Sequence, residues 1–130
     1  MSVFIKIDTK KNVAIKIINV SLKMQKIMNI INDLINKNKL VVALEIINEE
    51  IADTNHLGTD KYHELFFAKG RVYMIKFANS KSVDNKLFNE TLVCFAHADN
   101  AHKALHGNGY PNYDTIITSA KKLYHKLETN

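Results

Sequence analysis

From Val13 onward, apolar side chains recur at Val13, Ile17, Val20, Met24, Ile27, Ile31 and Leu34, at spacings of 4, 3, 4, 3, 4 and 3. Steps that alternate between three and four residues return each side chain to one face of an α-helix, whereas a half-buried strand alternates every second residue. A helix with such a stripe is stable in water only when another surface covers it, so the pattern also demands a packing partner. The next stripe supplies one: Leu40, Leu44, Ile47 and Ile51 with Ala43 beside it, and Glu45, Asn48, Glu49 and Glu50 outside. Helices over about 11–36 and 39–53 leave a connection of only two to four residues at the polar NKNK. Such a link forces the two to lie antiparallel and side by side. Residues 11–53 are thus expected as a first helical hairpin.

The rest of the chain carries few interruptions. One proline and four glycines in 130 residues, with 46% apolar content, favour long helices over many short strands and exclude a disordered chain. DTNHLGTD breaks the periodicity, and Thr59 or Asp60 can cap the next helix. That helix carries Tyr62, Phe66, Tyr73 and Phe77 on one face. After the polar ANSKSVDNK, Ser82 and Asp84 signal a fourth helix with Leu87, Phe88, Leu92, Phe95, Ala98 and Leu105, closed by the loop containing Gly107 and Gly109. The two helices make a second hairpin, 59–106. A fifth helix, 111–128, follows Pro111. The expectation is an all-α single domain of about five antiparallel helices. Residues 1–10, with VFIKI, read as a strand or an extended arm, and a hairpin across TKKN is the rival reading.

The second hairpin has a more specific pattern. KGRVYMIKF places Gly70 and Tyr73 on one helix, and TLVCFAHA places Thr91, Phe95 and Ala98 on the next. This order of small residue and tyrosine, then small, aromatic and small, resembles the tetratricopeptide repeat. In the first hairpin Ala43 and Ile47 stand at the matching second-helix positions, while Ile31 and Leu34 replace glycine and tyrosine and Glu50 replaces the last small residue. The resemblance covers roughly residues 27–105, with ANSKSVDNK reading as an insertion. It implies right-handed helical hairpins that bind a peptide or a protein surface in a groove, with no chemistry of their own. Gly70, Tyr73, Thr91, Phe95, Ala98 and Ala43 are the structural positions it marks.

Polar clusters offer few routes to catalysis. Asp99, His102 and His106 share one helical face at spacings of 3 and 4, and histidines at i and i+4 can chelate zinc. Lys103 stands where a zinc protease would carry glutamate, and a solvated helix end suited to histidine is the reading preferred here. Cys94 lies in the apolar run LVCFA, where a thiol is inert packing. Neither HGNGYPN nor any other glycine loop has a nucleotide-binding fingerprint. No enzyme and no cofactor are expected. Tyrosines cluster in the C-terminal 69 residues, as do five of six histidines, which makes Tyr62, Tyr73, Tyr110, Tyr113, His97 and His102 the candidate recognition residues.

A net charge of +5 would ordinarily suggest an anionic partner. That inference is weakened because Arg71 is the only arginine, and Ile, Asn and Lys fill 47 of 130 positions, as an A/T-rich coding sequence would produce. The expected function is a cytoplasmic protein-binding module acting as adaptor, chaperone or immunity-type inhibitor, monomeric or homodimeric and not bound to membrane. The alternative is a nucleic-acid-associated regulator using the lysines at 6, 10, 11, 16, 23, 26, 37 and 39. A histidine-centred metal-binding or enzymatic site stands third.

Overall fold

A computed structural model of the chain describes residues 23–129, and these residues are all-α, with five helices and no strand among them. Helix α1 covers residues 23–36, α2 Leu40–Ala52, α3 Asp60–Ala78, α4 Asn85–His106 and α5 Tyr113–Glu128, with a short 3₁₀ turn at Thr54–His56. The expected N-terminal arm, the start of the first helix, and Val13, Ile17 and Val20 of its stripe lie outside the described residues. The chain divides into two compact units, Met1–Ile30 and Ile31–Asn130. In the first, Met24 and Met28 are buried. In the second, α1 buries Ile31 and Ile35, with Leu34 only half-buried, so its seam sits slightly to one side of the anticipated line.

Within the second unit the α3–α4 pair is the main contact, flanked by α2 against α3 and α5 against α4. Aromatic side chains fix its direction: Phe77 lies 5.4 Å from Phe88, Phe66 stacks on His97 at 4.7 Å, and His63 lies 5.0 Å from His102. As residue numbers fall along α3 they rise along α4, so the helices are antiparallel. Between these pairs Gly70 faces Phe95 so closely that a Cβ on Gly70 would sit 2.5 Å from Phe95 Cε1. The missing side chain is what allows the Phe95 ring to seat against the α3 backbone. Thr91, one turn before Phe95, is buried and satisfies its hydroxyl by donating to the Leu87 carbonyl at 2.8 Å.

Helix ends follow local chemistry. Asp84 caps α4 by accepting from the Leu87 amide at 3.1 Å, and α4 stops at Gly107, whose φ of +81° is the left-handed conformation that glycine enters without strain. Arg71 Nη1 donates to Asn32 Oδ1 at 3.1 Å, joining α3 to α1 inside the second unit. Helix α5 buries only Ala120; Ile116, Ile117, Leu123, Tyr124 and Leu127 are half-covered. No helix among the described residues is long and apolar enough to cross a membrane.

Candidate functional site: a histidine cluster and a groove on one helix pair

The antiparallel pairing brings the N-terminal turn of α3 beside the last turns of α4, and with it three imidazoles. His63 is 6% exposed, His102 half-buried and His106 open to solvent. One ring nitrogen from each lies within 4.8 Å of the other two. Asp60, one turn before His63 on α3, accepts at Oδ1 from His63 Nε2 at 3.0 Å and from His106 Nε2. These bonds, the one from His106 foremost and the one from His63 next, hold the Asp60 carboxyl below the usual carboxylate range.

His102 is fixed from the other side. Its Nδ1 lies 2.7 Å from the Asn108 carbonyl, which can only accept, so Nδ1 carries the proton and, in the neutral ring, Nε2 keeps its lone pair. The carbonyl is in turn positioned by Asp99, which is 8% exposed and accepts from the Tyr110 amide at 2.8 Å. Lys103 reaches the same carboxylate at 3.8 Å. Asp99 therefore clasps the Gly107–Tyr110 loop onto α4. The sequence grouped Asp99 with His102 and His106; the fold instead joins those two histidines to His63 and Asp60 of α3.

Above the cluster, the Tyr110 ring lies 5.6 Å from His63 and stacks on Phe67 at 4.8 Å. Burial pushes its hydroxyl pKa up, with the nearby Glu64 charge adding to the effect. His63, Glu64, Phe67, His102 and Tyr110 line a cavity of about 440 Å³.

A larger groove of about 700 Å³ runs along the flank of the same helix pair. Phe66, Tyr73 and Val93 form its apolar surface, Val93 being 55% exposed, and Lys69, Lys86 and Glu90 carry its charges. His97 lines it while stacked on Phe66. Cys94 lies at its floor, its thiol pKa raised chiefly by burial.

The six candidate recognition residues thus separate. Tyr73 and His97 share the groove, and Tyr110 and His102 share the cavity beside His63. Tyr62 packs edge-on against Phe66 at 5.1 Å, and Tyr113 lies by Asp99 and Lys103. Of the lysines singled out in the N-terminal third, those at 6, 10, 11 and 16 lie outside the described residues, and Lys37 pairs with Asp33 at 3.0 Å.

His63, and any role for Asp60 beyond a helix cap, escaped the sequence reading because helical spacing relates residues on one helix and is silent across two. A signal was nevertheless present. Seven positions before Gly70 is His63 and seven after Phe95 is His102, so a glycine facing that phenylalanine in an antiparallel pair already sets the two histidines opposite each other. No family model, curated protein or solved structure matches the chain.

Proposed function

We propose that this chain is a non-catalytic interaction module that binds a partner polypeptide along the α3–α4 groove, in the manner of tetratricopeptide-like helical hairpins. The observation that carries it is the groove itself: an open apolar channel bearing exposed Val93 and the ring of Tyr73, on a rigid helix pair. Aromatic anchors with few rotatable bonds lose little entropy on binding, and fixed helices present them preorganised. The seat of Phe95 on Gly70 supports the hairpin resemblance by giving the small residue and the aromatic the close contact that their pattern implies.

Lys69 and Lys86 against the single Glu90 give the groove a cationic edge, and the chain as a whole is basic. The fitting partner is an acidic segment with apolar anchors, drawn in by charge and held by burial. Fluorescence polarisation with a labelled peptide alternating glutamates with leucine and phenylalanine tests this. Binding should weaken by about tenfold or more in Tyr73→Ala, and fall with salt in the wild type but less so in Lys86→Glu. Equal affinity for a peptide with lysines in place of the glutamates would overturn the reading.

A further inference from the structure

The histidine cluster has a composition and an arrangement that polypeptide binding does not use. We propose that His63, His102 and His106, supported by Asp60, bind one divalent transition-metal ion of the zinc class. Three imidazoles are a donor set that suits zinc and its neighbours, whereas magnesium and calcium take oxygen ligands, and the Asp60 carboxylate stands behind two of the three rings.

Geometry supports the assignment. Tetrahedral zinc holds its nitrogens at about 2.0–2.1 Å, which separates any two of them by roughly 3.3 Å. One ring nitrogen of each histidine already lies within 4.8 Å of the others, so modest side-chain rotations bring three nitrogens to such distances. Two helices held by aromatic packing supply them, so little ordering entropy remains to oppose binding.

The surrounding hydrogen bonds are those that orient metal ligands. A ligating histidine typically gives its other ring N–H to a carboxylate or a backbone carbonyl, which fixes the tautomer. His102 does so to the Asn108 carbonyl. His63 and His106 each face Asp60. His63 Nδ1 is buried with no hydrogen-bond partner, the only such side-chain atom among the described residues. Buried polar atoms are nearly always partnered, and one left alone on a member of a donor cluster points to a ligand. The graded exposure from His63 to His106, and the cavity beside His63 and His102, give the ion a path in and room for a water molecule.

A second cluster, Glu50, Asp53 and His56, shows the contrast. There His56 Nε2 is bound directly to Glu50 at 2.9 Å and Asp53 caps the Asn55 amide at 3.0 Å, so the donors are committed to closing the turn after α2.

The test uses the full chain, stripped with chelator and titrated with zinc and with cobalt(II). One equivalent should bind, cobalt should show the visible absorption of a four-coordinate site, and zinc should raise the melting temperature. His106→Ala, a solvent-facing change that leaves the core intact, should weaken zinc binding by about 100-fold or more, and Asp60→Asn by about 10–100-fold. His56→Ala should leave zinc affinity unchanged. Equal affinity in wild type and His106→Ala, or loss of binding in His56→Ala alone, would overturn the proposal. Peptide binding by chelated protein would be unaffected, so this outcome and that of the groove are read separately.

Discussion

Adding one methyl group at Gly70 is the sharpest probe of this fold. In an exposed helix interior, Gly→Ala stabilises by about 1 kcal/mol through backbone entropy. Here the new Cβ would stand 2.5 Å from Phe95 Cε1, 2.6 Å from Cδ1 and 3.1 Å from Cζ. Ordinary contact needs roughly 3.5–4.0 Å, so the ring or the helix must retreat by about 1 Å. Phe95 is 2% exposed and lies 5.4 Å from Phe67, so a retreating ring meets packed neighbours rather than solvent. Overpacking of this kind costs about 1–3 kcal/mol, which meets or exceeds the propensity gain. We expect Gly70→Ala to be destabilised by about 1 kcal/mol net, and Gly70→Leu by more. Urea unfolding followed by far-UV circular dichroism measures the difference. Repeating the substitution in a Phe95→Leu background removes the opposing ring, and there Gly70→Ala should cost less or turn stabilising. A Gly70→Ala protein more stable than the wild type in the unaltered background would refute the argument.

Two further outcomes follow from neighbouring contacts. Asp99→Ala should remove the acceptor for the Tyr110 amide and cost about 1.5–3 kcal/mol, with that amide losing hydrogen-exchange protection, while Asp99→Asn, which keeps a side-chain oxygen, should lose less; unchanged Tyr110 protection in Asp99→Ala would dismiss the clasp. Cys94 should resist alkylation in the native state and react freely in urea. Because its folded pKa lies above the ordinary 9.0, the folded state holds the proton more tightly than the unfolded chain; this contribution is present below pH 9.0 and lost as pH rises through the folded value. Stability above that pH should therefore fall less steeply in Cys94→Ala, and identical slopes would count against a buried thiol.

The all-α class and the helix limits were legible because they rest on local chemistry. Asp84 was readable as a cap and Gly107 as a stop from their side chains alone, and the spacing of Leu40, Ala43 and Ile47 marked the face that α2 buries. The seam of α1 was less legible, since Leu34 and Ile35 are adjacent and equally apolar; which one turns fully inward depends on the neighbours and not on the period. Helix α5 likewise buries only Ala120: its amphipathic pattern is clear, but α4 covers just part of it. The groove was half legible, as Tyr73 and His97 were singled out while Val93, on the open side of α4, was not. At the histidine cluster, the pair on α4 was visible in its i, i+4 spacing. The third histidine required knowing which turn of α3 lies opposite.

That register has a mechanical consequence. Phe95 sits in a notch at Gly70, and His63 meets His102 seven residues away, about 10 Å along the axis at 1.5 Å per residue. Sliding α3 along α4 would carry the phenylalanine ring off the notch toward the side chains one turn away on α3, Phe67 among them, and pull the imidazoles out of line together. Two pins on one seam resist shear and leave splaying of the helix ends as the softer deformation. Such a splay would change the spacing between histidines at the open end long before it disturbed the glycine notch.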